Sequence, residues 1–156
     1  MNSINISRKL MECDINLYDK YAMISGNEKI TYKEMNEKID KAAQYLISRG
    51  IVKGTHTAIY MNRSAEMIIY ILAVIKIGAV YIPLDPAYPE ERIKYIINDS
   101  NTEYVLADKD SEKSLFKKNV TIINVRLSNY NSAEKEFIKY DETHEQDPAM
   151  IIYTSG

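Results

Sequence analysis

Strand-like and helix-like patterns alternate over the first hundred residues of this 156-residue chain, and its strand-like runs are apolar almost throughout. These two observations predict an α/β fold, a parallel sheet with helices on both faces. Strands buried on both sides read as near-continuous apolar runs, and right-handed crossovers lay the intervening helices over the sheet. The composition, 46% hydrophobic and 27% charged, supplies enough apolar material for a core.

A short hairpin comes first. In "MISGNEKITY" an apolar pair precedes the turn signal Gly26-Asn27, and Ile30 and Tyr32 follow it. Thr31 and Glu34 then stand at capping-box spacing, with Ile30 and Met35 at the two positions of a hydrophobic staple. Met35, Ile39, Ala42, Ala43 and Leu46 recur at helical spacing, and Gly50 stands where a left-handed cap would stop the turn. A helix over Tyr32 to Ser48 is expected. "HTAIYM", His56 to Met61, reads as a strand between Gly54 and Asn62. Ser64 to Ile77 reads as a helix apolar on almost every side, so it belongs inside a larger body; Gly78 ends it.

"AVYIPL" returns as a strand, and Pro83, Pro86 and Pro89 punctuate the loop that follows. Pro89 suits a first helical position, with Glu90 and Glu91 in the first turn and Ile93, Ile96 and Ile97 as the inward stripe. That helix stops at Asn98-Asp99-Ser100-Asn101. Three further strands are expected at Tyr104 to Ala107, Val120 to Val125 and Met150 to Thr154. Between the last two, the polar stretch Arg126 to Pro148 reads as a surface excursion.

Composition also excludes functions. The net charge is -2, with Lys and Glu scattered, so no basic face is available for a run of phosphates and nucleic acid is not an expected partner. The most apolar segment, Met67 to Leu84, is interrupted by Lys76, Gly78 and Pro83, whereas a spanning helix needs about 20 mostly apolar residues. No membrane span is expected. The lone Cys13 cannot form an internal disulfide and the first twenty residues lack a signal-type apolar run, which fits a cytoplasmic protein.

Few residues are arranged for chemistry. His56 and His144 are far apart, Cys13 has no neighbour of ligand type, and no metal site is expected. His56 reads as a strand-end residue, and the acidic run Asp141, Glu142, Glu145 and Asp147 as a solvated face. Neither Gly-x-Gly-x-x-Gly nor the full phosphate-loop pattern is present. The exception is Thr154-Ser155-Gly156, which follows a buried strand. At the carboxyl edge of a parallel sheet these residues would bring two hydroxyls and a turn of backbone N–H groups to the crevice where such sheets bind ligands. A strand end followed by a polar turn accounts for the same tripeptide.

Three longer stretches, "ITYKEMNEKIDKAAQYL", "IKIGAVYIPLDPAYPEERIKYIINDS" and "AMIIYTSG", resemble in order and spacing the first three core motifs of the adenylation domains of nonribosomal peptide synthetases. These belong to the superfamily of adenylate-forming enzymes. Pro83-Leu84-Asp85-Pro86 with Tyr88-Pro89-x-Glu91-Arg92 is similar to the amino-acid-activating branch. The resemblance implies a leader at residues 1–20 and a partial AMP-binding domain at 21–156: the first part of the large N-terminal subdomain, truncated inside its nucleotide loop.

It further implies that Thr31, Glu34, Asp85 and Arg92 are caps and loop anchors, and that Thr154, Ser155 and Gly156 begin the loop that holds the phosphates of ATP. No catalytic or metal-binding residue is implied in the chain. The intact parent would use ATP and Mg²⁺ to convert an amino acid to aminoacyl-adenylate and pyrophosphate, working with a carrier domain, and this piece alone is expected to be inactive. Two alternatives stay open: a fragment of an acyl-CoA or aryl-acid ligase, or a non-catalytic piece that associates with a separately encoded remainder.

Overall fold

The computed structural model describes residues 15–108, 115–116, 119–125 and 143–154. Cys13, Asp141, Glu142 and the stretch 126–142 lie outside the described residues.

A one-turn helix at Ile15–Leu17 leads to the hairpin, in which β1 (Tyr21–Ser25) and β2 (Glu28–Thr31) pair antiparallel about Gly26, at φ 59°. Helix α1 (Tyr32–Ser48) starts as its local sequence dictates: the Glu34 amide donates to Thr31 Oγ1 at 3.2 Å, and the Thr31 amide donates to Glu34 Oε2 at 2.8 Å. It ends at Gly50, at φ 96°, whose amide donates to Ile47 O while the Ile51 amide reaches back to Leu46 O. That pair of bonds occupies carbonyls a helix end would leave open. A side chain at Gly50 would bring its Cβ to 2.7 Å from the Tyr104 hydroxyl. Ile39, Ala42, Ala43 and Leu46 form the buried stripe.

Among the described residues the main sheet has four strands in the order β4-β3-β5-β6, all parallel: β3 (His56–Tyr60), β4 (Val80–Pro83), β5 (Tyr104–Ala107) and β6 (Thr121–Asn124). Helix α2 (Ala65–Ile77) connects β3 to β4, and α3 (Glu90–Asp99) connects β4 to β5. Alternate residues of the strands enter different cores. Ile59, Leu106 and Ile123 pack with α1 and α2, while Ala58, Ile82 and Val105 pack with α3. Helices therefore cover both faces, as the apolar strands demanded. In α3 the buried Ile93, Ile96 and Ile97 hold the second face, each contributing on the order of 1.5 to 3 kcal/mol of burial. Lys76, which interrupts the apolar run, is buried and forms an ion pair with Asp40 of α1.

Two expectations are corrected. Pro89 takes the N-cap of α3 rather than its first helical position: its ψ of 144° is extended, and helical geometry begins at Glu90. Met150 to Thr154 is not a regular strand. Among the described residues, the segment makes one parallel bridge, Met150 opposite Tyr81, in which the Tyr81 amide donates to Ala149 O and the Ile151 amide donates to Tyr81 O. The next donor on that side of β4 would be residue 83. It is Pro83, which has no N–H, so the bond from that position to the return segment cannot form.

Candidate functional site at the carboxyl edge of the sheet

Because the four strands are parallel, their carboxyl ends share one edge, where open α/β sheets bind ligands. The chain turns back from β3 to β4 on one side and reaches β5 on the other, so the strand order reverses about β3. Just past β3 and β5, Asn62 and Asp108 close this point: Asp108 Oδ2 accepts from the Asn62 backbone amide at 3.1 Å and from its side-chain amide at 2.9 Å. Tyr60, one residue inside the edge, meets Phe116 edge-on at 5.6 Å between ring centroids. Burial first, and then the carboxylates of Asp108 and Glu90, push the Tyr60 hydroxyl above its usual range, so it stays a neutral donor.

Between β4, α2 and α3 the edge opens into a cleft of about 470 Å³. Asn62, Arg63, Asp85, Tyr88, Ile152 and Tyr153 line it. The loop after β4 is shaped by Asp85, whose Oδ1 accepts from the Ala87 amide at 2.9 Å and whose backbone carbonyl accepts from the Tyr88 amide. Arg92 lies over the Tyr88 ring at 4.7 Å. Asp85 and Arg92 are thus a turn residue and a ring partner. A larger hollow of about 570 Å³ lies between the hairpin and the starts of α1 and α2, but Glu34, on its wall, is committed to the α1 cap.

The terminal segment reaches the cleft because its approach is fixed upstream. Asp147 Oδ2 accepts from the His144 amide at 2.7 Å and pairs with Lys53 Nζ at 2.8 Å. The hydrogen bond from Lys53, and then that from His144, holds the Asp147 carboxyl below its usual range. Asp147 is therefore an anchor for the return segment, a finer role than the solvated face read from the sequence; Glu145 is exposed. From the bridge at Met150 the chain runs parallel to β4, placing Thr154 past the strand end, exposed to solvent. Ser155 and Gly156 lie outside the described residues. His56 is a strand-end residue as expected, its Nδ1 2.6 Å from Ser100 O.

The Asn62–Asp108 closure and a hydrogen bond from Tyr153 to Asp99 were not foreseen from the sequence. The one signal for the closure was a polar residue directly after an apolar strand, seen at both Asn62 and Asp108.

The AMP-binding enzyme profile matches residues 15–156. The chain belongs to the AMP-binding enzyme family. Bacitracin synthase 3 of Bacillus licheniformis is 38% identical over 144 residues, covering 88% of this chain and 2% of the synthase. Tyrocidine synthase 3 of Brevibacillus parabrevis is 35% identical over 138 residues, again 88% of this chain and 2% of the synthase. Among solved structures, Klebsiella oxytoca NpsA in complex with 3-hydroxyanthranilyl-AMSN superposes with a TM-score of 0.84 at 28% identity, over 97% of this chain and 30% of NpsA. The N-terminal subdomain of NpsA matches with the same TM-score at 29% identity, over 97% of this chain and 38% of that subdomain. The fold is thus the opening part of the N-terminal subdomain of an adenylate-forming enzyme, and the chain spans a small fraction of its curated relatives.

Family membership implies ATP and Mg²⁺, and the described residues fit them unequally. The exposed Thr154 hydroxyl at the sheet edge fits one phosphate contact. Among the described residues no group of three or more His, Cys, Asp or Glu is placed to hold a metal ion, so no Mg²⁺ ligand is assigned to them. No helix among them is long and apolar enough to cross a membrane.

Proposed function

We propose that this chain is the opening segment of an amino-acid-activating adenylation domain, in which Thr154, Ser155 and Gly156 begin the loop that holds the phosphates of ATP. The reaction is attack of an amino-acid carboxylate on the α-phosphate, giving aminoacyl-adenylate and releasing pyrophosphate. Such chemistry needs positioning and cancellation of developing negative charge. The single observation that carries the reading is the parallel docking of Ala149 to Ile151 on β4, which sends Thr154 to the carboxyl edge beside the cleft. ATP and Mg²⁺ are the cofactors of this reading, and an amino acid and a carrier domain its partners. NpsA has been fused to a carrier as an adenylation-PCP di-domain, which supports the last.

Within this division of labour, the chain's own residues bind and orient. A hydroxyl at Thr154 donates to a phosphate oxygen, and glycine at 156 lets backbone approach without a Cβ. Among the described residues lining the cleft, Arg63 is the one cation, against Asp85, so little positive charge is available to hold a triphosphate. Titration calorimetry with Mg-ATP should therefore detect no binding to the 156-residue chain. Binding and amino-acid-dependent pyrophosphate exchange should appear in a hybrid that joins the chain to the part of bacitracin synthase 3 following the matched segment. Micromolar binding by the chain alone, or a folded hybrid without exchange, would overturn the reading.

A second reading is an aryl acid in place of the amino acid, favoured by the anthranilyl and hydroxybenzoyl compounds bound in NpsA. The same exchange assay with a panel of both acid classes decides between them.

A further inference from the structure

Where Pro83 ends the backbone pairing, a side chain takes over. Among the described residues no backbone hydrogen bond holds Ile152, Tyr153 or Thr154 beyond the bridge at Met150. Tyr153 Oη donates to Asp99 Oδ2 at 2.7 Å, and its ring meets Tyr95 edge-on at 6.0 Å between centroids. Both partners lie on α3. Asp99 is the last residue of that helix, where a carboxylate faces the negative end of the helix dipole. The position is unfavourable for the helix taken alone and useful as an acceptor for a neutral donor.

We propose that Tyr153 and Asp99 form a latch that sets the direction in which the chain leaves the sheet at Thr154, making Tyr153 a positioning residue for the phosphate-binding loop. The latch stands on the geometry above; its service to the loop rests on the function proposed in the preceding subsection. Tyr153 also lines the cleft with Asp85 and Tyr88, so a ring released from Asp99 would change both the cleft wall and the path of Thr154. Burial, reinforced by the hydrogen bond to Asp99, pushes the Tyr153 hydroxyl up to about 12, which keeps it protonated and donating through the neutral range.

Two readouts test this, the first on the 156-residue chain itself. In ¹⁵N relaxation, Tyr153→Phe and Asp99→Ala should each lower the backbone order parameters at Ile152 and Thr154 from the rigid range, about 0.85, towards the flexible range, below about 0.6. Ile151, held by Tyr81, should not change. The double variant should match either single one, and Asp99→Asn, which keeps a carbonyl acceptor, should retain the order. Unchanged order at Thr154 in Tyr153→Phe, or effects that add in the double variant, would overturn the latch.

The second readout uses the hybrid with the bacitracin synthase remainder. There Tyr153→Phe should lower kcat/KM for ATP about tenfold with the KM for the acid substrate unchanged. An equal loss for both substrates would reduce Tyr153 to a structural role. A wild-type hybrid without exchange would count against the adenylation reading alone, because the relaxation result decides the latch independently.

Discussion

Thr31 shows how much a single residue can specify when its partners are near in sequence. Its hydroxyl accepts from the amide three residues on, and Glu34 answers by accepting from the Thr31 amide and hydroxyl. Thr31→Ala should lower thermal stability by about 1 kcal/mol, the usual cost of a lost N-cap, without altering the fold. Glu34 adds a pH signature. The hydrogen bond from the Thr31 backbone, then that from its side chain, and more weakly the charge of Lys38, hold the Glu34 carboxyl below its ordinary 4.5. A group depressed in the folded state stabilises above its unfolded value and loses that contribution as pH falls through the folded one. Melting curves of wild type and Glu34→Gln should therefore differ at neutral pH and converge on acidification below 4.5. A constant gap would mean that the carboxylate charge plays no part. The capping box was legible because it spans three residues. Asn62–Asp108 and Asp99–Tyr153 join residues 46 and 54 apart, and only the sheet brings them together.

Elements were legible to the extent that local signals bound them. Helix α1 begins and ends at the residues its cap and Gly50 dictate, and β5 occupies the four apolar residues expected. The segment after Ala149 was not, because an apolar run says that a strand can be buried but not how far its neighbour can pair with it. Here the neighbour decides. On β4 the even-numbered residues bond towards β3, as with Val80 to Thr55 O and Leu84 to Ile59 O, while Tyr81 bonds towards Ala149 and Ile151. Pro83 falls on the second side and has no amide to offer, and the ladder ends there after one bridge. Pro83→Ala should restore the missing donor, and the new amide should exchange with solvent at least about tenfold more slowly than a free peptide. The net stability change should stay within about 1 kcal/mol, since one added hydrogen bond and the lost rigidity of proline are similar in size and opposite in sign. An amide at residue 83 exchanging at the free-peptide rate would show that something other than the proline limits the pairing.

Across the whole molecule, helices lie on both sheet faces as expected, and the cover thins over the return segment at one margin. Ala58 and Ile59 of β3, and Val105 and Leu106 of β5, are buried on opposite faces. Ile151 and Tyr153 likewise pack into the α3 core. Their neighbours face the other way and are only about half covered: Met150, whose Sδ accepts from the Tyr81 hydroxyl, is 50% exposed and Ile152 is 56% exposed. Apolar side chains on a segment that pairs parallel to a sheet are normally covered on both faces, and a contiguous exposed apolar patch marks an interaction surface or an aggregation liability. The patch adjoins an edge whose remaining backbone groups are free of ladder partners among the described residues, which adds a template for pairing with another chain. The 156-residue chain should therefore bind a hydrophobic dye under native conditions and self-associate with rising concentration in sedimentation velocity. Ile152→Thr should weaken both effects while shifting the melting temperature little, because a side chain already more than half exposed contributes little burial to the folded state. Leu46→Ala, a fully buried deletion expected to cost about 2 to 5 kcal/mol, serves as the contrast: it should lower the melting temperature and increase dye binding. A wild-type chain that stays monomeric and binds no dye would show that Met150 and Ile152 are shielded in solution, and the margin would then be a finished surface.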